Sequence, residues 1–331
     1  MVASMWRGAL AIAIAIATLL PCAAMAQQPA RVFRVGWLML GSPREAQAGF
    51  PGIFLLELQK YGYVEGQNLV VERRSAAFDA GRLNELADDL VHSNVDVIVA
   101  FTHQAGIPAK NASRTLPIVV WAMHDAVALG LVRTLARPGT NVTGVESMAP
   151  DMDPKRVQLL KEFAPNLKRL GVLYNPEDPS ASLHLHSLRA AGLALGVTLE
   201  LLPIRRPADL EEVLAPTHLE AIDGLFVMTD EVTGARRNVI AEIARRARLP
   251  TVCEFRVFAI FGCMISYGPA ADEITRLAAA QVDRILKGAK PADLPVQQVT
   301  RLELVLNAKT AAAIGVSVPR LMLQRVDDVI E

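Results

Sequence analysis

Short apolar runs rich in Val, Ile and Leu alternate with helical patterns along almost the whole chain. The runs are Phe33–Leu40, Leu69–Arg73, Val95–Phe101, Ile118–Ala122 and Val142–Glu146. A second series follows at Leu170–Tyr174, Thr198–Leu202, Gly224–Met228, Thr251–Cys253 and Met264–Tyr267. Many are continuously apolar, as strands buried on both faces must be. Between them lie helical stretches such as Gly81–His92, Pro154–Phe163, Ala181–Leu195, Ala235–Arg248 and Ile274–Leu286. This rhythm predicts an α/β protein with parallel sheets sandwiched by helices and right-handed crossovers. The second series restarts the first: Arg34-Val-Gly-Trp-Leu38 echoes Arg169-Leu-Gly-Val-Leu173. Two similar Rossmann-like lobes with a ligand cleft between them are therefore expected.

The first 26 residues carry a different signature. Arg7 precedes the apolar run Ala9–Leu20, and Ala24-Met25-Ala26 forms a small-x-small cleavage site. The run is shorter than the roughly 20 apolar residues a bilayer span needs. A cleaved signal peptide is expected, with cleavage after Ala26 and export to the periplasm. Lipid attachment at Cys22 is disfavoured because Pro21 stands directly before it. The whole chain has 34 basic and 34 acidic residues among 331. Losing the single Arg of the leader leaves the balance near zero, which argues against a nucleic-acid partner. After cleavage only Cys253 and Cys263 remain. If one ends a strand and the other precedes its parallel neighbour, a four-residue strand separates them by about 13 Å. A disulfide needs Cα atoms within about 7 Å, so free thiols are expected.

Signatures of catalysis are missing. There is no nucleotide-cradling glycine motif, H-E-x-x-H, C-x-x-C or G-x-S-x-G. His184 and His186 are two apart on a predicted helix and face different ways, so no metal site is expected. No cofactor is implied, and the chain is not expected to be an enzyme. Polar residues cluster instead at strand ends: Ser42, Thr102, His103, His124, Asp125, Asn175, Thr229, Asp230, Glu254 and Tyr267. Ligands of open α/β sheets sit at those ends, and amides at helix starts suit a carboxylate. Any one of these residues could simply cap a helix; as a set they suit a small polar ligand. Ser42, Thr102 and Asn175 would hold a carboxylate, and Asp230 or Glu254 would answer an ammonium. Trp121, near a strand end, is placed beside the same ligand.

Six segments carry a family resemblance. They are Gly62-Tyr-Val-Glu-Gly-Gln-Asn68, Arg137-Pro-Gly-Thr-Asn-Val-Thr-Gly-Val145 and Val172-Leu-Tyr-Asn-Pro176. The others are Ile265-Ser-Tyr-Gly-Pro269, Ile285-Leu-Lys-Gly-Ala-Lys-Pro-Ala-Asp-Leu-Pro295 and Leu302-Glu-Leu-Val-Leu-Asn-Ala-Lys-Thr-Ala-Ala-Ala-Ile-Gly315. The chain resembles ABC-transporter substrate-binding proteins of the tryptophan/tyrosine-binding-like group, which have the type I periplasmic-binding-protein fold. The resemblance implies a periplasmic monomer that closes on an amino acid or similar small carboxylate and delivers it to an inner-membrane ABC permease. Its lobes would be 31–146 with 269–291, and 147–268 with 292–331. A periplasmic sensor with the same binding cycle, or a hydrolase, would be the alternatives. Two departures fall near the expected cleft. Asp125-Ala126-Val127 stands where the family usually has Asp-Pro-Val, and bulky His103-Gln104 stands where small residues are common.

Overall fold

The computed structural model describes residues 31–42 and 50–331; the expected signal peptide lies outside them. Thirteen strands among the described residues form two sheets. The first contains β1 (Phe33–Met39), β2 (Leu69–Ser75), β3 (Val97–Thr102), β4 (Ile118–Met123), β5 (Val142–Glu146) and β11 (Gln297–Gln298), in the order β11-β5-β4-β3-β1-β2. All its pairings are parallel. The second contains β6 (Arg169–Tyr174), β7 (Thr198–Pro203), β8 (Gly224–Val227), β9 (Thr251–Cys253), β10 (Ile265–Pro269), β12 (Leu302–Asn307) and β13 (Asp328–Ile330). Its order is β13-β12-β10-β9-β8-β6-β7, and only the β10–β12 pair is antiparallel. Each sheet therefore repeats one winding, with its first strand between its second and third. The Arg34 and Arg169 segments that echo each other are the two first strands.

The helices of the described residues include α1 (Phe50–Lys60), α2 (Leu83–His92), α3 (His103–Ala112), α4 (Ala149–Phe163), α5 (Ala181–Leu195), α6 (Glu231–Ala235), α7 (Arg237–Arg246), α8 (Arg256–Ile260), α9 (Ala271–Leu286) and α10 (Ala308–Ile314). Helix α9 follows a strand of the second sheet but packs on β4, β5 and α1 of the first. Its buried stripe of Ile274, Ala278, Val282 and Ile285 recurs every three or four residues, as a core-facing helix requires. Under that cover Trp37, Phe101 and Trp121 stack at centroid distances of 5.2 and 5.9 Å. One face of the second sheet buries Val157, Leu160, Phe163, Val172 and Phe226 in a separate cluster.

Two expectations need correction. The segment after 291 does not pass at once to the second sheet. Gln297 and Gln298 pair with Val145 and Glu146 of β5, and Thr143 Oγ1 donates to the Leu294 carbonyl at 2.9 Å. The last crossing therefore falls after residue 298, just before β12. The two cysteines, expected as free thiols, form a disulfide with Cα atoms 6.6 Å apart. Strand β9 has only three residues, and pairing of β10 begins at Ile265, opposite Val252. Before that, the chain turns at Gly262, whose φ of +110° is readily adopted only by glycine. The Cys263 N–H then donates to the Phe258 carbonyl at 2.9 Å. This turn carries Cys263 off the line of β10 and towards Cys253, so the assumption of a straight strand end failed.

Candidate functional site

The carboxyl ends of the two sheets meet in a buried polar cluster. The sequence puts polar residues there because each apolar strand must end where a helix starts, and helix starts need acceptors. His103 begins α3 immediately after β3, and Gln104 follows it; both are buried. His103 Nε2 is hydrogen-bonded to Asp178 Oδ1 at 2.7 Å, across from the first sheet to the loop before α5. Asp178 Oδ1 also accepts from the Ser180 N–H and hydroxyl, each at 2.7 Å. Burial opposes charge on both partners, but the opposite charge and hydrogen bond of each outweigh it. The Asp178 carboxyl is held well below its usual range and the His103 imidazole is raised.

A chain of contacts continues into the second sheet. His124, at the end of β4, lies 4.7 Å from the His103 ring and shares Nδ1 contacts of 3.1 Å with Ser180 Oγ and His184 Nε2. His184 Nδ1 meets Asp153 Oδ2 at 2.6 Å, and Arg156 Nη1 donates to Asp153 Oδ1 at 2.7 Å. Arg156 Nε donates to the Tyr267 carbonyl at 2.7 Å. Burial, then the charges of His103 and His184, push His124 well below its ordinary pKa, so it is neutral at pH 7. Among the described residues, no group of three His, Cys, Asp or Glu side chains has the geometry to hold a metal ion.

The expected site residues are distributed unevenly over this cluster. Asp230 caps α6, with Oδ1 accepting from the Thr233 N–H at 2.8 Å. Its Oδ2 is buried without a hydrogen-bond partner. Burial and the nearby Asp178 charge push the Asp230 carboxyl up to about 6, while Asn175 beside it favours the charged form. Asn175 is buried, and its Oδ1 accepts from the Glu177 N–H at 2.9 Å. Thr102 Oγ1 donates to Glu231 at 3.3 Å. Ser42 follows β1, half-buried, next to the same carboxylate's partners. Glu254 is buried with Oε1 unpartnered and 3.8 Å from Arg156 Nη2; burial raises its pKa. Tyr267 enters through its backbone carbonyl.

Asp125 and Trp121 are not brought into it. Asp125 is exposed, has a φ of +47°, and its side chain accepts from the Ala128 N–H at 2.9 Å, so it closes a turn. Trp121 lies in the aromatic stack under α9, its indole N–H donating to Thr275 Oγ1 at 3.2 Å. Its ring also lies 6.4 Å from that of Phe255. The departure at Ala126 has a structural counterpart. Its N–H donates to Glu146 Oε2 at 2.9 Å, which a proline could not do. Asp153, Arg156, Asp178, His184 and Glu231 were not anticipated. Four of them sit on helices or in turns away from strand ends, and Glu231 stands beside the capping Asp230.

Comparison with known proteins accords with this architecture. The ABC transporter substrate binding protein family matches residues 50–330, and the chain belongs to that family, whose members bind solutes. A tyrosine-binding protein of Clostridioides difficile is 24% identical over 261 residues, covering 79% of this chain and 75% of the relative. A conserved domain protein from Vibrio cholerae superposes with a TM-score of 0.82 at 26% identity, covering 90% of this chain and all of that one. An ABC domain in complex with L-Trp from Streptococcus pneumonia gives 0.80 at 22%, again over 90% of this chain and 100% of the other. The ligand-free, open structure of an adhesive substrate binding protein from Clostridium difficile gives only 0.61 at 24%, over 91% and 99%. More distant likenesses include a periplasmic binding ribose operon repressor protein from Lactobacillus acidophilus, with a TM-score of 0.55. The fold is that of type I periplasmic binding proteins.

Proposed function

We propose that this chain is the periplasmic solute receptor of an ABC importer and that it closes its two lobes on an amino acid, aromatic side chains included. Lobe one comprises 31–146 with 269–298, and lobe two the intervening and final segments. The observation that carries this reading is Asp230 Oδ2, a buried acceptor without a partner where the two sheets' carboxyl ends meet. Gln104 Oε1, Thr229 Oγ1 and His103 Nδ1 are likewise buried and unpartnered. Buried polar atoms are nearly always satisfied, so orphans on residues that follow β3 and β8 support a ligand at those strand ends. An ammonium suits Asp230, which Asn175 adjoins; Ser42 and Thr102, after the first sheet's strands, would take the carboxylate. The relatives' tyrosine and L-Trp agree with an amino-acid ligand. The chain superposes better on the L-Trp complex than on the open, ligand-free structure at nearly equal identity, which supports closure.

The test is mass spectrometry of the small molecule that co-purifies, followed by calorimetric titration of wild type and Asp230→Ala with it, L-tyrosine and L-tryptophan. Breaking a buried ion pair costs on the order of 3–5 kcal/mol, so the variant should bind at least about a hundredfold more weakly. Its melting should fall by only the roughly 1 kcal/mol of a lost helix cap. Unchanged affinity with lowered melting would reduce Asp230 to a cap and move the ligand elsewhere.

A further inference from the structure

Glu231 opens α6 on the second-sheet side, yet its carboxylate reaches the carboxyl ends of β1 and β3 in the first sheet. The Leu40 N–H donates to Oε1 at 3.1 Å, the Gly41 N–H donates to Oε2, and Thr102 Oγ1 donates to Oε1 at 3.3 Å. Two consecutive backbone amides, one to each oxygen, with a hydroxyl beside them, make a bidentate receptor for a carboxylate. The position is the one where open α/β sheets hold ligands. Despite three donors, burial pushes the Glu231 carboxyl up to about 7, helped by the charge of Asp230. A charge so poorly compensated is one that another carboxylate, bringing its own counter-charge, could replace. The neighbouring residue is Asp230, with its unpartnered Oδ2. An amino acid carries ammonium and carboxylate on one carbon, so a ligand held by Asp230 would bring its carboxylate to this receptor.

We propose that Leu40, Gly41 and Thr102 form a carboxylate subsite for which Glu231 and the ligand compete, so that Glu231 is a built-in competitor displaced on binding. The ammonium half rests on the amino-acid reading above; the receptor itself takes any small carboxylate of fitting shape. Three probes separate the two ideas: L-tyrosine, tyramine without the carboxylate, and hydroxyphenylpropionate without the ammonium. Each is titrated by calorimetry into wild type, Glu231→Ala and Glu231→Gln, with melting curves to establish that the variants fold. Glu231→Ala should tighten both carboxylate-bearing probes by about tenfold or more and leave tyramine unchanged. Glu231→Gln, which keeps the length but not the charge, should gain less in the same direction, and it carries the comparison if the alanine variant does not fold. Gain for hydroxyphenylpropionate with no binding of tyrosine to any form would sustain the subsite and sink the amino-acid reading. Weaker or unchanged binding of the carboxylates in the variants would overturn the subsite and make Glu231 a clasp that holds the cleft shut over its ligand. Failure of both carboxylates to bind any form would overturn it too.

Discussion

His103 and Asp178 are the most exacting residues of the cluster, because each is buried and each depends on the other for its charge. Removing one partner leaves an uncompensated buried charge, which costs more than the pair itself contributes. His103→Ala should therefore lower stability by about 3–5 kcal/mol, measured by urea unfolding at pH 6. Replacing both, as His103→Leu with Asp178→Leu, should cost clearly less than the sum of the singles, since neither charge is then stranded. An additive double variant would mean that the two do not act as a pair. Ala126 offers a second test at this scale. Ala126→Pro would install the residue usual in the family, yet it removes one of the two backbone donors of Glu146. It should cost about 1–3 kcal/mol in thermal unfolding.

Among the elements, the disulfide constrains most. It closes the segment that carries Glu254, Phe255 and α8, and both sulfurs are buried. In mature, unreduced protein, thiol titration after unfolding should find no free thiols. Cys253→Ala with Cys263→Ala should lose about 2–3 kcal/mol for a loop of this size. Strand–helix alternation and the doubled winding were legible in the sequence, because strands buried on both faces leave unbroken apolar runs. The disulfide was not, since it hangs on a turn at Gly262 that no apolar period reports. Helix α3 carries Gly106 and Pro108 in its interior, both poor helix formers. Gly106 is there because a Cβ would stand 2.8 Å from a Val120 methyl. At the site, residues at strand ends were legible as candidates. The partners on α4 and α5 were not, because Asp153, Arg156 and His184 look like the polar positions of amphipathic helices until the fold buries them.

At the scale of the whole molecule, the cluster couples folding and binding to pH with opposite signs. Burial raises the carboxyls of Glu231 to about 7 and Asp230 to about 6, and also raises Glu146 and Glu254. His103 is raised through its partner Asp178. A raised group stabilises the folded state fully below its unfolded pKa, and that contribution is lost as pH rises through the folded value. The lowered groups, Asp178 and His124, oppose this on the acid side. Melting temperature without ligand should therefore be highest near about pH 5 and fall towards about pH 8. Glu231→Gln, which cannot ionise, should flatten that fall; a parallel curve would mean that Glu231 does not titrate in this range. Ligand affinity should run the other way. An ammonium on Asp230 needs the carboxylate ionised, so binding lowers a pKa that stands at about 6 without it. Below that value each bound ligand must expel a proton, and affinity should drop by up to about tenfold per pH unit, levelling off above about pH 7. Calorimetry of an amino-acid ligand in buffers of different ionisation enthalpy counts that proton directly. Near pH 5 wild type should release a proton from Asp230 and a further one from displaced Glu231, Glu231→Gln about one, and neither any near pH 8; a pH-independent affinity would remove Asp230 from the ammonium's partners.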